Sequence, residues 1–126
     1  LDQFVEKRNI LKNRYDQLLG ELPVIRPYQS SDIYSALHLY PIQIDVNNAT
    51  VSRSQVFDTL RKGGIRVNVH YIPVHTQPYY LEMGFAYGDF PVSESYYYNA
   101  ISLPLFPQMS FDDQDKVVTA LMSVIQ

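Results

Sequence analysis

The 126-residue chain has no cysteine and no tryptophan. Without cysteine there can be no disulfide framework, no thiolate metal site and no cysteine nucleophile. Glycine is scarce and scattered, five in all, which excludes a glycine-rich phosphate loop. No apolar run approaches the ~20 residues that span a bilayer, and no signal-peptide pattern is visible. Cations are missing from a long central stretch: residues 67–115 contain neither lysine nor arginine. The formal net charge of −3 gives no electrostatic reason to expect nucleic acid. An aromatic platform for single strands would also need cations around it.

What is present suits one globular domain, with 46% apolar and 18% charged residues. The cation-free stretch holds seven of the eleven tyrosines and five of the eight prolines. Such a segment fits either a core of packed Tyr and Pro or a pocket wall tipped with hydroxyls and imidazoles. Leu1, Phe4, Val5, Arg8, Leu11, Tyr15, Leu18 and Leu19 recur at three- and four-residue steps, predicting an amphipathic helix that ends near Gly20. It starts without a cap and without an initiator methionine, so the chain is expected to be a piece of something larger. Residues 23–33 read as a connector.

Residues 35–46 alternate as a strand, with His38, Tyr40, Ile42, Ile44 and Val46 on the buried face. Pro41 within it predicts an edge position or a bulge. Ser52 and Gln55 form a capping box before a helix that Gly63-Gly64 closes. Ile65, Val67 and Val69 alternate in a second expected strand ending at Tyr71. Pro73 and Pro78 stiffen the loop that follows. Short helices are expected over residues 79–85 and 92–100, then a strand over 101–103 ended by Pro104. Ser110 and Asp113 cap a last helix with Val117, Val118, Leu121, Val124 and Ile125 on its apolar side. The order predicts an α+β domain, an α/β two-layer sandwich with a short three-stranded sheet and helices packed on it.

His70 and His75 stand five apart with Tyr71 beside the first, but a metal would need a third ligand. No acid lies between Asp58 and Glu82, and the remaining histidine is His38. No strand–Gly-x-Ser-x-Gly–helix pattern singles out a serine nucleophile. What remains is a strand end carrying His70 and Tyr71, then a loop with His75, Gln77 and Tyr79 whose prolines restrict its backbone. These side chains are either buried and hydrogen-bonded or the lining of a polar ligand site.

Four ordered motifs carry a resemblance across nearly the whole chain. Ser35-Ala36-Leu37-His38-Leu39-Tyr40 resembles the S-x-x-H-L-Y strand of the DegT/DnrJ/StrS-type sugar aminotransferases. Gly64-Ile65 with Val69-His70-Tyr71-x-Pro73-x-His75-x-Gln77-Pro78-Tyr79-Tyr80 is similar to their G-I…H-Y-x-P-x-H-x-Q-P-Y-Y segment. Gly88-Asp89-Phe90-Pro91-Val92-Ser93-Glu94 and Ile101-Ser102-Leu103-Pro104-Leu105 resemble their G-D-x-P-x-x-E and x-S-L-P-L signatures. The resemblance implies the C-terminal small domain of a fold-type I aminotransferase, with residues 1–22 as a linking helix and 23–126 as the sandwich. The family moves an amino group from glutamate to a keto group of a nucleotide-linked deoxysugar, using pyridoxal 5′-phosphate. The Schiff-base lysine and the cofactor would lie in a large domain that is absent here. The wording around His38 and His70 looks most like the subgroup that makes pseudaminic-acid precursors.

By the same resemblance His70, Tyr71, Ile72, Pro73, His75 and Tyr79 face the sugar nucleotide, and His38 serves the seam with the large domain. Lys7, Lys12, Lys62 and Lys116 stand in no cofactor motif, and solvated lysines form imines poorly. The chain alone is therefore expected to be inactive, and the full protein to be a cytoplasmic homodimer. The alternative is a non-catalytic assembly or regulatory module derived from the same fold.

Overall fold

The apolar spacing of the first nineteen residues produces α1 (Asp2–Leu18), which buries Leu11 and Tyr15 and leaves its N-terminal end solvated, Leu1 and Phe4 included. The computed structural model describes residues 1–125. After α1 come β1 (Val24–Ile25), β2 (Tyr40–Ile44), α2 (Arg53–Lys62), a 3-10 turn (Val74–Thr76), α3 (Pro78–Glu82), α4 (Pro91–Asn99), β3 (Ala100–Leu103) and α5 (Phe111–Ile125). The sheet is antiparallel in the order β1-β2-β3. This is the expected α+β class, a three-stranded sheet with helices on it. None of the described helices is long and apolar enough to cross a membrane.

One of the three strands lies elsewhere than the alternation predicts, a second is shorter, and the strand expected over 101–103 is present as β3. Residues 65–71 contribute one bridge, Asn68 to Ser102, in place of a strand. The third strand comes from the connector, where Val24 pairs with Ile44. The expected strand over 35–46 shortens to Tyr40–Ile44 because Leu37 takes a left-handed φ of 40° and breaks the extended run. His38 and Val46 consequently stay exposed, whereas Tyr40, Ile42 and Ile44 are buried as expected.

Pro41 lies in the central strand, opposite Ser102. Ser102 spends its backbone N–H and C=O on Asn68, at 2.8 and 3.2 Å. Pro41 and Ser102 are therefore a non-hydrogen-bonded pair. The nitrogen of Pro41 points toward the side where β1 has already ended, so its missing N–H costs no ladder bond.

The core joins Tyr40, Ile42 and Ile44 of β2 and Ile101 and Leu103 of β3 to Leu11 and Tyr15 of α1, Val56 and Leu60 of α2, and Val117, Val118 and Leu121 of α5. The capping box at Ser52–Gln55 is formed in both directions, and Ser110–Asp113 makes a reciprocal pair before α5. At the other end of α2, the N–H of Ile65 donates to Leu60 O at 2.9 Å and that of Gly64 to Arg61 O at 3.1 Å. These two bonds are a Schellman closure with Gly64 at φ +80°. A Cβ at Gly64 would meet open space, so Gly64→Ala should cost only the backbone penalty, about 1 kcal/mol. A chemical-denaturation midpoint unchanged by Gly64→Ala would contradict that closure.

Tyr15 and Tyr40 stack with ring centroids 4.9 Å apart. The Tyr15 hydroxyl donates to Pro104 O at 3.0 Å, and that of Tyr40 to Asp16 Oδ1 at 2.6 Å. Asp16 is in turn paired with Lys12 at 2.7 Å. Burial raises the pKa of both phenols, and for Tyr40 the Asp16 carboxylate adds to the rise. A raised folded-state pKa gives stability that is complete below the unfolded value of ~10 and is lost as pH climbs toward the folded one. Ionisation of this pair should therefore coincide with unfolding in an alkaline titration followed by phenolate absorbance and far-ultraviolet circular dichroism. Full phenolate formation with the helical signal intact would contradict the buried assignment.

Candidate functional site

Two cation-free segments carry the residues singled out from sequence, and each is fixed by one polar contact from a residue further along the chain. In the first, the Asn68–Ser102 bridge carries the chain past the sheet and delivers His70, whose Nδ1 lies 2.9 Å from Ser102 Oγ. The ring of Tyr71 meets that of His70 edge-on at 4.7 Å. Tyr71 is 73% exposed and Ile72 50%. Pro73 is buried and accepts from both the backbone N–H and the hydroxyl of Thr76, closing the 3-10 turn.

In the second, His75 turns inward. Its Nε2 lies 2.7 Å from Glu94 Oε1, and the side chains are only 7% and 13% exposed. The same oxygen accepts the backbone N–H of Gly88 at 2.8 Å and of Phe90 at 3.4 Å. Phe90 packs its ring against His75 at 4.8 Å. The Gly88 N–H above all, with His75 and the Phe90 N–H, holds the Glu94 carboxyl below the usual carboxylate range. One carboxylate thus ties the turn at His75 to the start of α4. Beside it opens a groove of about 320 Å³ lined by Val74, His75, Tyr80, Phe85, Phe90 and Ser93.

Of the residues singled out from sequence, the structure brings His70 and Tyr71 together and leaves Tyr71, Ile72 and Tyr79 open to solvent. His75 and Pro73 are buried within the loop, and His38 is exposed before β2. Sequence reasoning assigned no role to Glu94 or Ser102, although both stand in quoted motifs. Glu94 could have been noticed as the lone acid between Asp89 and Asp112, placed just inside a helix that follows a proline.

A pyridoxal phosphate site needs an amine for the imine and donors for a phosphate. The side chains gathered here are imidazoles, phenols and one carboxylate already engaged. Lys12 is paired with Asp16, Lys116 lies 3.4 Å from Asp113, Lys7 sits 5.3 Å over the Phe111 ring, and Lys62 is exposed at the end of α2. These residues do not fit the cofactor. Among the described residues no three metal-ligating side chains converge either.

Chemically, the residues around His70 and His75 offer hydrogen-bond donors, and no lysine stands among them. The chain belongs to the DegT/DnrJ/EryC1/StrS aminotransferase family, whose model matches residues 1–122. It is 37% identical to the spore coat polysaccharide biosynthesis protein SpsC of Bacillus subtilis, over 100% of the chain and 33% of that protein. Spr1654 from Streptococcus pneumoniae, in its PMP-form, superposes with a TM-score of 0.86 at 25% identity, covering 96% of this chain and 30% of the other. PseC of Helicobacter pylori, an aminotransferase in the biosynthesis of pseudaminic acid, has the same fold, with a TM-score of 0.84 at 22% identity over 97% of this chain and 33% of that one. The chain spans about a third of the length of these relatives.

Proposed function

We propose that this chain is the substrate-side C-terminal domain of a pyridoxal phosphate-dependent aminotransferase acting on a nucleotide-linked deoxysugar, with glutamate as amino donor. The observation that carries the reading is the family match over residues 1–122. A polysaccharide-biosynthesis relative at 37% identity supports a sugar substrate, and the PMP-form of the pneumococcal relative supports the cofactor. That cofactor, which supplies the amino-group chemistry when bound, is held by a large domain outside these residues, as is the imine-forming lysine. Residues 1–22 link the two parts, and His38 lies at their seam. The full protein acts as a cytoplasmic homodimer.

In this reading His70, Tyr71 and Tyr79 donate to oxygens of the sugar nucleotide, with Ile72 alongside. An imidazole and two phenols can do so without a fixed cation, which suits the absence of Lys and Arg from residues 67–115. Pro73 and His75 set the backbone of the binding segment from within. The finer reading, amination at C4 of a UDP-linked 4-keto-6-deoxy-HexNAc on the way to pseudaminic acid, rests on the wording around His38 and His70. The likeness to PseC supports its fold alone. No observation favours a non-catalytic assembly module.

The full-length protein that carries this chain, given pyridoxal phosphate and glutamate, should aminate a nucleotide-linked keto sugar and release 2-oxoglutarate. A panel of such sugars identifies the subgroup. The chain by itself should show no pyridoxal phosphate absorbance band that is lost on replacing one of Lys7, Lys12, Lys62 or Lys116. A full-length protein inert toward every keto sugar nucleotide, or an imine on one of the four lysines here, would overturn the reading.

A further inference from the structure

We propose that Ser102 is a positioning residue for His70: its hydroxyl holds the imidazole in the Nε2–H form, so that a proton, not a lone pair, faces the sugar nucleotide. This rests on the reading of His70 as a substrate contact. Ser102 sits in the middle of β3 and is 5% exposed. A hydroxyl so deeply buried needs an acceptor for its proton, because an unsatisfied buried donor costs more than an ordinary hydrogen bond returns. Among the described residues the side-chain polar atom that meets this hydroxyl is His70 Nδ1, at 2.9 Å. If Nδ1 carried the proton, it would donate to Ser102 Oγ and strand the hydroxyl hydrogen. With the hydroxyl donating, Nδ1 keeps its lone pair and the proton of the neutral ring resides on Nε2.

The surrounding backbone fixes this arrangement. The Ser102 N–H donates to Asn68 O at 2.8 Å, and Ser102 O accepts from Asn68 N at 3.2 Å. The segment two residues before His70 is thus locked to the residue that reads its ring. Ser102 makes both bonds because its N–H and C=O face Asn68, on the side away from Pro41, with which it forms a non-hydrogen-bonded pair. Three hydrogen bonds therefore join β3 to the 68–70 segment, and only the side-chain one decides which ring nitrogen bears the proton. The outward Nε2–H suits an acceptor oxygen, on a diphosphate or a sugar hydroxyl, rather than a donor.

The test uses the full-length protein labelled with nitrogen-15 at histidine, with the His70 ring signals assigned by their loss in His70→Gln. At mildly alkaline pH the ring should show a protonated Nε2 and an unprotonated, hydrogen-bonded Nδ1. Ser102→Ala should move the Nδ1 resonance and raise KM for the sugar nucleotide about 3- to 10-fold, the worth of one neutral hydrogen bond, with kcat within about twofold. Ser102→Thr, which keeps the hydroxyl, should restore both. Should the added methyl unfold β3, Ser102→Cys takes its place as a donor of similar size. A ring protonated on Nδ1, or ring signals identical in Ser102→Ala, would overturn the role of Ser102 whatever His70 does. Spectra that change as expected while KM stays fixed in both Ser102→Ala and His70→Ala would instead overturn the reading of His70, and the positioning role with it.

Discussion

Ile42→Ala is expected to lower the unfolding free energy by about 3–4 kcal/mol, toward the upper part of the usual range for a fully buried aliphatic residue. Ile42 is 0% exposed in the central strand and stands opposite Ile101, also 0% exposed. Truncation removes buried methyl groups and leaves a void between sheet and helices. Close packing prevents the surroundings from collapsing fully into it. The companion Val46→Ala should change stability by no more than about 0.5 kcal/mol, because Val46 is 61% exposed beyond the end of β2. Urea midpoints at constant slope report both values. Equal losses at the two positions would mean that the strand alternation extends through residue 46 and that the short β2 is wrong.

Glu94→Ala should loosen the whole segment from His75 to the start of α4. The change leaves His75 Nε2 and the N–H groups of Gly88 and Phe90 without the oxygen they share. Amide hydrogen exchange over residues 74–94 should rise at least about tenfold, while α5 and β2 keep their protection. Glu94→Gln, which retains an acceptor oxygen, should give a smaller rise. Protonating the carboxyl acts in the same direction. Its folded-state pKa is depressed, so the stabilisation is complete above the unfolded value of ~4.3 and is lost as pH falls through the folded one. Exchange in this segment should thus quicken in acid before the core opens. Unaltered exchange in Glu94→Ala would show that the aromatic packing around Phe90 holds the segment unaided.

The helices were legible because each is written in local chemistry. The 3.6-residue spacing of Leu11, Tyr15 and their neighbours marks α1, and reciprocal side-chain caps at Ser52 and Ser110 start α2 and α5. The sheet was only partly legible. Ile65, Val67 and Val69 alternate well, but the Schellman closure at Gly64 and the single rung at Asn68 turn them into an irregular segment. Val24 and Ile25 are too few to signal a strand, and their pairing with β2 continues a long-range bond from Asp45 N–H to Pro23 O, at 3.0 Å, that no local pattern announces. Pro41 looked like an edge residue because sequence cannot reveal that its N–H would have had no partner. The site residues were legible as motifs, but not in their division of labour. Burial separates Pro73 and His75, which hold the loop, from Tyr71 and Tyr79, which stand in solvent. The partners Ser102 and Glu94 lie 32 and 19 residues from the histidines they fix, beyond any local pattern.

The most direct test of the account is the steady-state kinetics of His70→Ala in the full-length protein, with the nucleotide-linked keto sugar and the amino donor varied in turn. Loss of a substrate contact predicts that KM for the sugar nucleotide rises about tenfold or more while KM for glutamate stays within about twofold. Equal effects on both substrates, or none on either, would contradict the assignment of residues 70–79 to the sugar nucleotide.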